Sequence, residues 1–186
     1  MVSLIGAPGS GKTVIGKILE SEGFVCFVTG DLFRKIATED SGRGKIVNHI
    51  VTNRLLVPPE IARPIIQAAL EDFLGADKAI IMDGYPRNLG QLSILDTIHP
   101  AVYFIEIAVD FETCRKRIEA AKDRGNRIDD KDTRVREQGF KTYENETVPM
   151  IGKIEKERPR QFLSVDGLPE PEVVAQGIAN WIKGKA

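Results

Sequence analysis

The sequence predicts an α/β fold in three layers, a parallel sheet with helices on both faces, and three observations predict it. Short apolar runs rich in β-branched residues occur at 2–5, 24–28, 79–82, 101–107 and 162–165, and longer helix-like stretches separate them. Several of these runs are apolar at consecutive positions, as strands buried on both faces are, whereas a half-exposed strand alternates. The separations are long enough for the crossovers that parallel strands require. At 186 residues the chain has the length of one compact domain, 1–186.

Taken in order, the first run leads into Gly6-Ala7-Pro8-Gly9-Ser10-Gly11-Lys12-Thr13, which fits GxxxxGK[ST], and residues 14–20 continue as a helix. Glycines there let successive backbone N–H groups turn inward on a phosphate. The helix N-terminus adds the positive end of its dipole, and Lys12 adds a mobile charge. The second run ends in Thr29-Gly30-Asp31-Leu32-Phe33-Arg34, and the third in Asp83-Gly84-Tyr85-Pro86-Arg87. Between them Pro59 and Glu60 open a helix expected to reach residue 74. Ligands of open parallel sheets bind beyond the carboxyl ends of the strands, so these segments should converge beside the phosphate loop, where separate arginines clamp phosphates.

After the fourth run, Asp110 is placed to cap a helix through residue 118. Residues 115–141 then carry ten Lys or Arg and six Asp or Glu, with only Ile118, Ile128, Val135 and Phe140 as large apolar residues. Such a stretch buries little of itself; it is a solvated face or a flap that handles an anion. Residues 31–59, with Ser41-Gly42-Arg43-Gly44, also differ from the core pattern.

Composition bounds the partners. With 26 Lys+Arg against 27 Asp+Glu and a net charge of -1, the chain does not hold nucleic acid by bulk charge. Even the apolar run near 101–109 is interrupted by Glu106, so no membrane span is expected. The N-terminus shows no secretion signal, and the expected location is the cytoplasm. Cys26 and Cys114 stand apart, without a CxxC pair or a neighbouring His, so buried thiols are expected and no zinc. No NKxD motif accompanies the phosphate loop, which argues against a GTPase switch.

The phosphate loop together with TGDLFR at 29–34 and MDGYPRNLGQ at 82–91 resembles the adenylate kinase family, nucleoside monophosphate kinases, in its short-lid form. The resemblance covers essentially the whole chain. It implies a P-loop nucleoside triphosphate hydrolase-like fold with a five-stranded parallel core, a monophosphate-binding subdomain at 30–59 and a short lid at 118–128. It also implies reversible transfer of the γ-phosphoryl group from Mg-ATP to AMP, giving two ADP, by a monomer. Phosphoryl transfer needs mainly positioning and charge stabilisation, and a cluster of cations supplies both.

In that reading Lys12 and the loop at Gly9, Ser10, Gly11, Thr13 and Val14 hold the donor phosphates. Arg34 and Arg87 bind the acceptor phosphate, and Arg127 closes from the lid onto the donor. Asp83 holds Mg2+ through water, with Thr13. Arg117 stacks on the donor adenine, whose other contacts are main chain near 165–168. Thr29, Gly84 and Gln91, with Leu56 and Val57 as a wall, receive AMP; a carboxamide suits the donor and acceptor edge of adenine. His49, His99 and Trp181 are read as packing or surface residues. A UMP/CMP or other monophosphate kinase, and a degenerate nucleotide-binding module with weak turnover, remain alternatives.

Four departures from the family pattern stand out. Arg54 replaces a usual Gly. Family arginines expected four residues after Arg117 and ahead of the Phe140/Tyr143 pair fall on Ala121 and Gly139. Arg124 and Arg136 lie near the same helix faces and are the expected replacements, each costing about 100-fold in kcat if changed to Ala. The segment between Asp130 and Thr147 is also one residue longer than usual.

Overall fold

A computed structural model describes residues 1–71, 73, 78–120 and 132–185. Five strands, β1 (Val2–Ile5), β2 (Val25–Val28), β3 (Ile80–Asp83), β4 (Tyr103–Ala108) and β5 (Phe162–Asp166), form one sheet in the order β2-β3-β1-β4-β5. Every pairing is parallel; Leu4 lies opposite both Asp83 and Ile105, so the ends of β1 and β3 are level. The strands sit within a residue or two of the expected runs, and the shifts fall at their ends, where hydrophobicity alone does not mark the first ladder bond.

Alternation of side chains along each strand divides the core in two. Val2, Leu4, Ile81, Ile105 and Ile107 face one side, where they meet Ile15 and Leu19 of α1 (Lys12–Ser21) and Val174, Ile178 and Ile182 of α9 (Pro171–Lys183). Ile5, Met82 and Phe104 face the other. They are covered there by α4 (Pro59–Glu71), α5 (Leu89–Ile98) and α8 (Val148–Glu157), through Ile66, Leu95 and Ile154 among others. The three layers are as expected. The chain therefore leaves β1 toward one face and β3, its neighbour, toward the other, and a crevice opens between their carboxyl ends.

The 30–59 segment forms α2 (Thr29–Ala37) and α3 (Gly42–Thr52), with Ser41 capping α3 by accepting from the Gly44 N–H at 2.9 Å. The helix opened by Pro59 ends at Glu71, before residue 74. Asp110 caps α6 (Phe111–Ala120) as expected, its carboxylate accepting from the Thr113 N–H at 2.8 Å, and that bond holds the Asp110 carboxyl below its ordinary pKa. Of the expected lid, 118–120 belong to α6; the remainder lies outside the described residues.

Helix α7 (Thr133–Thr142) runs into α8 through a π-helical turn, Tyr143–Thr147. Such a turn widens the helix by one residue where α7 and α8 join. Trp181 packs edge-on against Tyr103 with ring centroids 5.4 Å apart, and His49 is exposed on α3. Both cysteines are free thiols, Cys114 buried and Cys26 half-buried; burial pushes Cys26 up to about 12. Among the described residues no helix is long and apolar enough to cross a membrane.

Candidate active site

The carboxyl ends of β1, β2 and β3 open into a cleft of about 420 Å³. Of the residues expected at the site, Gly9, Gly11, Lys12, Thr13, Val14, Arg34, Leu56, Val57, Asp83, Gly84, Arg87 and Gln91 line it. Its described lining holds Lys12, Lys17, Arg34, Arg54 and Arg87 against one carboxylate, Asp83. Such an excess of cations between low-dielectric walls concentrates a polyanion.

The phosphate loop is pinned from below. Gly9 has φ 87°, a left-handed backbone, and a Cβ there would come within 2.5 Å of the Cys114 carbonyl of α6. Only glycine satisfies both conditions. The Lys12 ammonium folds over the loop and donates to the carbonyls of Gly6 (2.7 Å) and Ala7 (2.9 Å) and to Ser10 Oγ (3.2 Å). A phosphate arriving in the loop offers the same ammonium anionic oxygens, which are stronger acceptors than neutral carbonyls. Ser10 itself is buried under the loop and outside the cleft lining.

At the cleft floor Thr13 Oγ1 donates to Asp83 Oδ2 at 2.7 Å, and Asp83 is only 5% exposed. Thr29, placed in the sequence reading against AMP, is fully buried beside the cleft, and its hydroxyl donates to the Asp83 carbonyl at 2.8 Å. The bond ties the end of β2 to the end of β3. Thr29→Val should therefore lower stability by about 1–2 kcal/mol, the usual cost of stranding a buried bonded partner, while Thr29→Ser keeps most of it. Urea unfolding midpoints check this; equal midpoints for Val and Thr would show that the bond contributes nothing.

Across the cleft, Arg34 pairs with Asp31 one helical turn earlier, and Arg87 Nε donates to the Gly84 carbonyl at 2.7 Å. Gln91 is 1% exposed and held at both ends: its Oε1 accepts from the Arg87 N–H at 2.9 Å, and its Nε2 donates to the Val57 carbonyl at 2.9 Å. A carboxamide has two donors and two acceptor sites, so one of each remains for a base edge. The sequence reading gave Gln91 the base; its second task, fastening the Val57 wall to the Arg87 loop, carried no sequence signal.

Arg117 lies outside the cleft lining and links two loops, donating from Nη1 to the Ser10 carbonyl (3.3 Å) and from Nη2 to the Gly167 carbonyl (2.9 Å). It thus stands between the phosphate loop and the 165–168 segment expected to meet the donor base. Arg136 donates to Thr133 Oγ1 at 2.9 Å and lines a small separate groove with Arg115, Glu119 and Glu137. The fold does not bring it to the main cleft: three residues turn a helix by about 300°, which leaves it on the flank of the face that Gly139 occupies. Arg124 and Arg127, like Ala121, lie outside the described residues. Gly139 and Tyr143 line the cleft too, beside Thr142 and Thr147, which sequence reasoning missed; Thr147 Oγ1 donates to the Arg87 carbonyl at 2.8 Å. Burial, with Glu106 adding to it, pushes the Tyr143 phenol up, so it stays protonated.

Comparison with known proteins agrees with this geometry. The adenylate kinase family profile matches residues 4–158. An adenylate kinase isoenzyme 1 of Bos taurus is 30% identical over 158 residues, which cover 84% of this chain and 81% of that protein. An adenylate kinase of Parvibaculum lavamentivorans is 32% identical over 181 residues, covering 92% of this chain and 86% of its own. An adenylate kinase of Ureaplasma parvum is 33% identical over 119 residues, 63% of this chain and 56% of that protein. With a phosphate loop, two facing arginines and a buried carboxylate assembled at the ends of three parallel strands, and with the profile spanning most of its length, the chain belongs to the adenylate kinase family.

Proposed function

We propose that this cleft transfers the γ-phosphoryl group of Mg-ATP reversibly to AMP, giving two ADP. One observation carries the reading: Lys12 of the phosphate loop and Arg34 and Arg87 of the opposite wall line a single cleft, so two phosphorylated ligands meet between them. The chain is an AMP-phosphorylating adenylate kinase, and the placement of its residues supports the roles proposed for them. The loop N–H groups and Lys12 bind the donor phosphates. Arg34 and Arg87 orient the acceptor phosphate in line with them, and no general base is required. Gln91 reads the acceptor base, with Leu56 and Val57 as its apolar wall.

A buried carboxylate beside a hydroxyl, Asp83 and Thr13, fits Mg2+, a hard cation that keeps several waters and takes few protein ligands. Bound with the nucleotide, it neutralises phosphate charge. The family resemblance carries with it a monomer acting on ATP and AMP in the cytoplasm.

A coupled assay with ATP and a panel of AMP, GMP, CMP and UMP tests the reading. AMP should be preferred over CMP and UMP by at least roughly 100-fold in kcat/KM, because a site that pairs a base's polar edge leaves groups unsatisfied with the wrong base. Equal rates with CMP would overturn the acceptor assignment.

A further inference from the structure

Arg54 lines the cleft, yet nothing above gives it a task. Its backbone has φ 52°, and it is the only non-glycine residue with positive φ among the described residues. An arginine in a conformation that glycine adopts freely is costly unless its side chain does something glycine cannot. The turn is held firmly: the Leu55 N–H donates to the Ile50 carbonyl at 3.0 Å, and Thr142 Oγ1 of α7 donates to the Arg54 carbonyl at 3.4 Å.

From there the side chain reaches α7 at Gly139. A Cβ built on Gly139 of α7 would lie 3.0 Å from Arg54 Cδ, 3.2 Å from Arg54 Nη1 and 3.7 Å from Pro8 Cγ of the phosphate loop. The guanidinium therefore sits at the junction of α7, the phosphate loop and the acceptor wall, in space that any side chain at 139 would take. Two departures noted in the sequence, an arginine where the family has glycine and a glycine where it has arginine, meet at this one point.

We propose that Arg54 supplies, from the acceptor side, the phosphate-binding cation that position 139 lacks, and that it is a catalytic residue contacting the transferring phosphoryl group. The proposal rests on the kinase reading above. A planar fork of donors, fixed at its base by a hydrogen-bonded turn, suits charge that spreads over phosphoryl oxygens in the transition state. Its location also makes the site complete only when the α2–α3 unit and α7 are together.

Three variants test this: Arg54→Gly, Gly139→Arg and the double exchange, with kcat, affinity for diadenosine pentaphosphate and thermal midpoint read for each. Arg54→Gly should lose about 50-fold or more in kcat and bind the pentaphosphate more weakly, with a midpoint unchanged or raised, since glycine relieves the backbone. Gly139→Arg alone should fold less stably, because two arginines claim one space. The exchange should return the midpoint and regain kcat to within about tenfold of wild type. A folded Arg54→Gly protein with full kcat and undiminished pentaphosphate affinity, beside an active wild type, would overturn the role of Arg54 alone. A wild type that makes no ADP would overturn the kinase reading on which it rests.

Discussion

Lys12→Met should lower turnover by about three orders of magnitude or more while the protein stays folded, a loss of about 4 kcal/mol in transition-state stabilisation. Methionine keeps much of the apolar stem and removes the ammonium. Among the bonds lost are those to the loop's own oxygens, from Gly6, Ala7 and Ser10, in a partly exposed position. These bonds join no distant elements, and the thermal midpoint is expected to stay within a few degrees of wild type. In the closed, water-poor complex the same charge faces the phosphates, where it is worth far more. Single-turnover kinetics on the folded variant checks this; a near-normal rate would show that the chemistry does not occur at the phosphate loop.

Arg87→Ala should reduce kcat/KM for AMP by about 100- to 1000-fold and leave the KM for ATP nearly unchanged. The backbone of this residue is held independently of its side chain, through its N–H to Gln91 (2.9 Å) and its carbonyl from Thr147 (2.8 Å). Truncation therefore removes the guanidinium and keeps the loop. The side chain is aimed by its own Nε bond to the Gly84 carbonyl, at the acceptor end of the cleft. Arg87→Lys retains charge without the fork and should fall between wild type and alanine. A change confined to the KM for ATP would place Arg87 on the donor side and contradict the assignment.

Legibility in the sequence followed the range of the interaction. The sheet and the phosphate loop were readable because both are local: consecutive apolar residues, then glycines and a lysine at fixed offsets before a helix. Asp83, Arg34 and Arg87 were readable as residues at or beyond strand ends, which parallel topology gathers. Thr29 was assigned to the ligand, but nothing local indicates that its hydroxyl faces the Asp83 carbonyl, 54 residues away. Nothing local marked the π-helical turn at Tyr143–Thr147. Arg54 was visible as an odd residue in a loop; its meeting with Gly139 depends on a left-handed backbone and a long side chain reaching across the fold. Helical spacing pointed to Arg136, which lines a separate groove, because periodicity gives the face of a helix without saying which neighbour meets it.

The central claim, that one cleft moves a phosphoryl group between two nucleotides, is tested most directly by phosphorus NMR of the protein with Mg2+, ATP and AMP. The account predicts growth of ADP resonances at the joint expense of ATP and AMP, dependent on Mg2+ and nearly abolished in Lys12→Met, with no inorganic phosphate released. ATP decaying to ADP and phosphate while AMP stays untouched, or both nucleotides binding without exchange, would contradict it.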